Sequence, residues 1–309
     1  EWYTIVNPHA GSGKTMSKWV PAEEKLKKLG IPLHTVYTTH RHHAEELATA
    51  AARMGYRKIL AVGGDGSLHE VFEGILGWCE TSGVPTSDFY IALAPIGSGN
   101  DWIKAFDVPH DTEKMAEVLS KEIFTQEDVV KVKLKGNIIS YMANVGGVGF
   151  DSHVCDRVNF HKEQGKRKAR IYFKSLLYSF FNVKPFNIEF YCDDKLIYRG
   201  SVLDLAFGNG SYCGGGMQQC CLADPTDGIL DGIIVPRIGI GTILREVPRI
   251  YRKNLHESKS IIYVRGKHFK IIPLDKNSED IVELDGEIAG TLPLEIELTG
   301  DKINVLTNK

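Results

Sequence analysis

Lys58-Ile59-Leu60-Ala61-Val62-Gly63-Gly64-Asp65-Gly66-Ser67 is the stretch on which the reading of this chain turns. Its first half is short, apolar and partly β-branched, the pattern of a buried parallel strand. Beyond it, Leu68, Val71, Phe72, Ile75 and Leu76 recur at helical spacing, so a helix opens at the glycines. A strand that ends in a Gly-rich turn and feeds a helix makes an anion site. Glycine lets the backbone approach phosphate, and the helix N-terminus offers N–H groups and a positive dipole end. Asp65, inside the turn, is unwelcome to bare phosphate but suits a phosphate carried with Mg²⁺. The plainer reading is a tight turn in which Asp65 caps the helix.

The same alternation runs on either side. Residues 2–7 read as a strand closed by Pro8. Pro21 reads as the start of a helix that ends at Gly30, and residues 33–37 read as a second strand. A helix carrying Ala44, Leu47, Ala48 and Ala51 follows, and residues 90–95 form a fourth strand. This order predicts an open, mainly parallel sheet with helices on both faces, whose ligands bind at the carboxyl ends of the strands. Three Gly-rich turns, at residues 7–13, 63–67 and 95–100, fall at those ends. Near Asp128 the pattern changes to short strands with turn signals and little helix, at 129–134, 138–145, 186–192, 196–207, 229–235, 260–265, 268–272, 281–284 and 294–299. That spacing predicts an antiparallel sandwich, interrupted by a helical insertion near 158–182. The expected division is an α/β domain over 1–128 and an all-β domain over 129–309. The last residues are free to return to the first domain, and the active site is expected in the cleft between the two.

Composition is that of a globular enzyme: 309 residues, 43% hydrophobic, 25% charged and a formal net charge of −2. That balance gives no general pull toward nucleic acid. The six cysteines (Cys79, Cys155, Cys192, Cys213, Cys220 and Cys221) form no CxxC pair, which fits a reduced, cytoplasmic setting. No apolar run reaches the roughly 20 residues that span a bilayer. The sequence opens at Glu1 directly before a strand, which reads as a trimmed start.

Gly13-Lys14-Thr15 invites a P-loop reading, but that motif requires Gly where this chain has Pro8. The first turn still offers Asn7 and Ser12 as polar contacts. The third turn, Pro95-Ile96-Gly97-Ser98-Gly99-Asn100-Asp101, again follows a strand and is expected to open a helix. There Ser98 can meet phosphate or adenine, Asn100 can orient a ligand or metal-bound water, and Asp101 can cap the helix. In Glu283-Leu284-Asp285-Gly286-Glu287 the Asp-Gly pair is a hairpin turn by default. Alternatively Asp285 and Glu287, two apart at a strand end, point one way, one to accept a hydroxyl proton and the other to hold Mg²⁺.

Asn7-Pro8-x-Ala10-Gly11, Gly63–Ser67, Pro95-x-Gly97-Ser98-Gly99-Asn100-Asp101 and Leu284-Asp285-Gly286-Glu287 occur in that order. Together they resemble the diacylglycerol kinase catalytic family, which includes sphingosine kinases, ceramide kinases and soluble bacterial lipid kinases. The resemblance spans essentially the whole chain. Ser67 and Ser98 stand where the family usually has Thr, and both keep the hydroxyl. It implies ATP-dependent phosphorylation of a lipid hydroxyl, with ATP and Mg²⁺ as cofactors, on diacylglycerol or on a sphingoid base or ceramide. By motif, Asn7, Pro8, Gly11, Ser12, Gly63, Gly64, Gly66, Ser67, Gly97, Ser98 and Asn100 would line the nucleotide. Asp65 would organise Mg²⁺, Asp285 would be the base and Glu287 a further metal or water ligand, with Asp65 the rival base. Asp227, in Asp227-Gly228-Ile229-Leu230-Asp231-Gly232, would hold a structural Mg²⁺, or else form an ordinary Asx turn. Asp128 would join the metal–water network, and Asp151 and Asp101 would touch substrate.

Residues 157–174 carry seven basic side chains against one acid and run into an aromatic-rich stretch to Phe181. This suits docking to an anionic membrane surface, or a helix packed on the sandwich with a solvated basic edge. Thr39-His40-Arg41-His42-His43 looks metal-like but reads better as solvated histidines opening a helix. The expected partners are ATP, a lipid substrate, a peripheral membrane surface and a second copy in a homodimer, with no nucleic acid. Two rivals are weighed. NAD kinase shares a Gly-Gly-Asp-Gly loop and a β-rich second domain, but residues 95–101 argue against it. A silent lipid-binding relative is opposed by Asp65, Asp285 and Glu287 all being present.

Overall fold

Three parallel strands that end level with one another gather the glycine turns. The structure, a computed structural model, describes residues 1–150, 152–153 and 184–309. It comprises two compact units, Glu1–Val129 with Gly300–Lys309, and Val130–Thr299. In the first unit β1 (Trp2–Val6) lies between β2 (Leu33–Tyr37) and β3 (Lys58–Gly63). The other edge of β3 pairs with β4 (Tyr90–Pro95), and all four strands are parallel. Val6 stands opposite Val62, and Val62 opposite Ala94. The chain therefore leaves β1, β3 and β4 side by side.

β3 and β4 are apolar throughout because both faces of the sheet are covered: Ile59, Leu60, Ala61, Val62 and Ile91 to Ala94 are all buried. The helices of the unit are α1 (Ala10–Gly13, a single irregular turn), α2 (Thr15–Lys28), α3 (His43–Arg53), α4 (Asp65–Ser82) and α5 (Thr112–Lys121). The path crosses the sheet one way from β1 to β2 and the other way from β2 to β3 and β4. Right-handed crossovers then place α2 on one face and α3 and α4 on the other. α2 packs on α5, and α3 on α4. Pro21, expected at a helix start, instead lies inside α2, where no N–H reaches back to the Ser17 carbonyl.

The second unit is the β-sandwich. β5 (Phe124–Leu134) enters it and forms a hairpin with β6 (Ile138–Met142). The long strand β9 (Lys195–Gly208) pairs antiparallel with β7 (Val145–Gly149), β8 (Phe186–Cys192) and β10 (Leu230–Pro236). β11 (Ile262–Gly266) joins β10, β12 (His268–Pro273) joins β8, and β13 (Ile281–Leu284) bridges β7 and β14 (Glu287–Thr291). Phe186, Ile188, Phe190 and Cys192 alternate inward from β8. They meet Phe269, Ile271, Val202, Leu205 and Phe207 in one core.

β15 (Leu294–Leu306) pairs with β12 near its start and runs on into the first unit, where Asn304 and Val305 pair parallel with β4. Three elements were not legible in the sequence: helix α5, the short strand β14, and helix α6 (Ile240–Arg252), whose periodicity is broken by Gly239, Gly241 and Pro248. The expected helical insertion at 158–182 lies outside the described residues. No helix among the described residues is long and apolar enough to cross a membrane.

α3 meets α4 through small residues. Ala44, Ala48, Ala51 and Ala52 are buried, and a Cβ at Gly74 would lie 2.4 Å from the Glu45 carbonyl oxygen. Gly74→Ala is therefore expected to destabilise the fold by about 1–3 kcal/mol, although Ala is the better helix former. Gly77→Ala, three residues on in open space, is expected to be neutral or stabilising by up to about 1 kcal/mol. Urea unfolding midpoints of the two variants check this directly.

Candidate active site

Each turn of the first unit is shaped by its neighbours. After β1, the Asn7 side chain accepts the His9 N–H at 2.9 Å and donates to Ser67 Oγ at 3.3 Å, linking the first turn to α4. Gly11 takes φ +54°, and a Cβ there would fall 2.3 Å from the Ile96 carbonyl oxygen. The Gly63 carbonyl accepts the N–H groups of Ile96 (2.6 Å) and Gly97 (2.9 Å). A Cβ on Gly97 would stand 2.5 Å from the Gly64 Cα and 2.7 Å from Asn100 Oδ1. The second and third turns thus touch backbone to backbone, which no residue but glycine permits.

No side chain caps α4, whose N-cap is Gly64. The positive end of its dipole therefore opens onto the turn. Asp65 is the first residue of α4, so the cap reading gives way. One of its carboxylate oxygens accepts the N–H groups of Asp101 (2.9 Å) and Trp102 (3.2 Å), because the third turn crosses directly over it. Asp101 was expected to cap a helix. The segment that follows is a short 3₁₀ turn, Trp102–Phe106, and the Asp101 carboxylate pairs with Lys104 instead. Trp102 Nε1 donates to both oxygens of the fully buried Glu127, at 3.1 Å each.

Asn100 sits in the left-handed region and is 5% exposed. Its Nδ2 donates to the Gly97 carbonyl at 2.9 Å, while its Oδ1 is buried without a hydrogen-bond partner. A Cβ at Gly99 would lie 3.1 Å from both the Asp65 and Asp101 carboxylates. Glycine-bared backbone, a helix N-terminus, an orphaned amide oxygen and two carboxylates form a cradle suited to phosphate with a hard dication. Ser12 and Ser98 are exposed at its rim, and Ser67 is buried behind it.

In the second unit, Asp285 and Gly286 form a two-residue turn with φ of +53° and +85°, between Leu284 and Glu287. The chain reverses between the two acids, so the expectation that they share one face of a strand fails. The Asp285 carboxylate is spent on backbone, accepting from Ala143 (2.9 Å), Asn144 (2.8 Å) and Val145 (3.2 Å). Its own N–H donates to the Val145 carbonyl at 2.9 Å. Asn144, which sequence reasoning missed, is buried at the centre of this knot. Its Nδ2 donates to the Tyr212 carbonyl at 2.7 Å, and its carbonyl accepts from Asn209 and Gly210. The one sequence signal for it is Asn209-Gly210, where a Cβ on Gly210 would lie 2.1 Å from Asn144 Oδ1.

The remaining expected residues lie elsewhere. Asp227 follows its Asx-turn alternative, accepting the Ile229 N–H at 3.0 Å and pairing with Arg265 at 2.8 Å. Arg265 also binds the buried Asp231 at 2.6 Å, and Tyr263 donates to that carboxylate at 2.7 Å. Burial pushes the Asp231 carboxyl up, against the pull of both hydrogen bonds. Asp128 pairs with Lys302 at 2.6 Å. Asp151 and the basic and aromatic stretch 157–181 lie outside the described residues. His40, His43 and Glu46 bring potential ligand atoms within 4.8 Å of one another. The two imidazoles, however, stack at 4.4 Å and 18°, and His43 Nδ1 accepts the Thr39 N–H. Lone pairs in near-parallel ring planes do not converge on one ion.

Residues 1–132 match the diacylglycerol kinase catalytic domain, and residues 144–307 match the YegS C-terminal NAD kinase beta sandwich-like domain. The chain belongs to the diacylglycerol kinase catalytic family. A diacylglycerol kinase of Mycobacterium tuberculosis is 26% identical over 305 residues, covering 98% of this chain and 93% of the relative. One from Bacillus subtilis is 24% identical over 290 residues, covering 94% and 90%. The crystal structure of a diacylglycerol kinase from Bacillus anthracis superposes with a TM-score of 0.71 at 21% identity, covering all of this chain and 97% of that one. The sandwich shares its fold description with NAD kinase, whereas the model that covers the three glycine turns is the diacylglycerol kinase one.

Asp285 anchors the acidic turn of this family member through three backbone N–H groups. Asp285→Ala strands three backbone N–H groups and places Ala at positive φ, with an expected cost of about 2 kcal/mol or more in urea unfolding. Glu287→Gln leaves that network intact and is expected to unfold like the wild type.

Proposed function

We propose that the protein is an ATP-dependent lipid kinase that transfers the γ-phosphate to the hydroxyl of diacylglycerol or a related long-chain lipid alcohol. The observation that carries this reading is the cradle of the first unit, where the Gly64 and Gly97 backbones touch beside Asp65 and the orphaned Asn100 Oδ1. Family membership supports the acceptor class.

In this reading the bared backbone at Gly11, Gly63, Gly64, Gly66 and Gly97 binds the phosphates, helped by the α4 dipole. Asn7, Ser12, Ser67, Ser98 and the Pro8 turn fix the orientation of the nucleotide. Asp65 and Asn100 Oδ1 hold Mg²⁺, which supplies neutralisation of the charge on the transferring phosphoryl group when bound. The chain's own contribution is positioning and preorganised charge, since phosphoryl transfer asks little covalent chemistry of the protein. The sequence left Asp65 and Asp285 as rival bases. Asp285 accepts backbone N–H groups with both oxygens, which fixes its carboxylate in place, and Glu287 is the further metal or water ligand of that turn.

The test is incubation of the full chain with radiolabelled ATP, Mg²⁺ and a panel of diacylglycerol, sphingosine, ceramide and NAD, with products identified by mass spectrometry. Labelled phosphatidic acid is the expected product. Labelled NADP, or no labelled lipid at all, would sink the reading. Asp65→Asn keeps an oxygen for the Asp101 and Trp102 N–H groups, so its melting temperature should match the wild type. Its turnover should fall on the order of 100-fold or more. Wild-type turnover in that variant would remove Asp65 from the machinery.

A further inference from the structure

Helix α6 presents its apolar stripe outward. Leu244 is 61% exposed, Val247 40% and Tyr251 64%. At helical pitch these three fall within an arc of about 60°. The inward face is made by Ile250, packed against the core of Ala206, Cys220, Ile233 and Leu255, and by the buried Glu246. Beside the apolar arc runs a second arc, also about 60° wide, of Arg245, Arg249 and Arg252. Arg237 and Lys253 extend it at the two ends, and both are exposed.

Residues 237–253 thus carry five basic side chains and one acid. That acid, Glu246, is buried under Arg245 and Arg249, at 3.5 and 3.1 Å. The charged side chains at the surface of the helix itself are therefore all cationic, with Glu257 of the following turn 3.7 Å from Arg249. Helices that lie in the plane of a membrane interface have this composition: an apolar face sinks to the acyl boundary while flanking cations meet anionic headgroups, and Tyr suits the boundary itself. A second copy docking symmetrically would bring the same cations against each other.

We propose that α6 is a docking face for an anionic phospholipid bilayer, with Leu244, Val247 and Tyr251 inserted and Arg245, Arg252, Arg237 and Lys253 on the headgroups. The inference rests on the lipid-kinase reading for its purpose, delivery of the enzyme to a substrate held in a membrane. It rests on the helix alone for the binding itself.

The experiment is flotation of the full chain with vesicles of phosphatidylcholine, with and without phosphatidylglycerol. It compares the wild type with Leu244→Ser/Tyr251→Ser and Arg237→Glu/Arg252→Glu. These side chains are exposed, so both variants should melt like the wild type and keep its turnover on short-chain diacylglycerol in solution. The wild type should bind only the phosphatidylglycerol vesicles, and added salt should release it. Each double variant should bind at least about tenfold more weakly. Wild-type binding by both variants, or no vesicle binding by the wild type, overturns the proposal. So does sedimentation in which the wild type is a dimer and the serine variant a monomer, because the face would then belong to a second copy. If no lipid is phosphorylated but vesicle binding follows α6, the kinase reading fails and the docking face stands.

Discussion

The approach of Gly64 to Gly97 is the constraint on which the first unit's chemistry depends. It follows from register: Val6, Val62 and Ala94 lie abreast, so three turns must share the space above three strands about 4.8 Å apart. With no side chains at 64 and 97, the third turn folds down over the start of α4. Its N–H groups at 101 and 102 then meet the Asp65 carboxylate. Hydrogen bonds to a charged group contribute about 1.5–3 kcal/mol each. The acid that would trouble a bare phosphate site is therefore also what pins the third turn in place. A single carboxylate thus organises the loop while contributing to the charge of the cradle.

The second unit uses acid differently. Asp285 ties a hairpin tip to residues 143–145, and Asn144 ties those residues onward to 209–212. Asp231 is gripped by Tyr263 and Arg265. Within one chain, then, carboxylates serve as turn anchors, as buried ion-pair partners and as the proposed machinery. Their motif context alone does not separate these uses.

What the sequence made legible was whatever repeats with a fixed period or a fixed turn chemistry. The parallel strands declared themselves by continuous apolar runs, and the α4 face by Leu68, Val71, Phe72, Ile75 and Leu76, all buried as the spacing required. Strands 186–192 and 281–284 fell where alternation placed them. Other features were misread, and three show the physical reasons. α6 was hidden because two glycines and a proline punctuate it, and tertiary packing of Ile250 outweighs their low propensity. Asp285 and Glu287 were read at strand period, but left-handed backbone at 285 and 286 reverses the chain between them. Asn144 carries no motif, since its value lies in long-range bonds that no local pattern encodes.

The return of residues 300–309 to the first unit makes the second unit an insertion within the first. Until those last residues emerge, β4 has an open edge, with backbone groups that Asn304 and Val305 later pair. During synthesis the first 129 residues therefore cannot finish their sheet when they leave the ribosome. They must wait while the whole sandwich is made. A ribosome that stalls within the second unit leaves an apolar parallel sheet with one side unfinished, the kind of edge that recruits other chains. The order of the chain thus places completion of the first unit's sheet after synthesis of the sandwich.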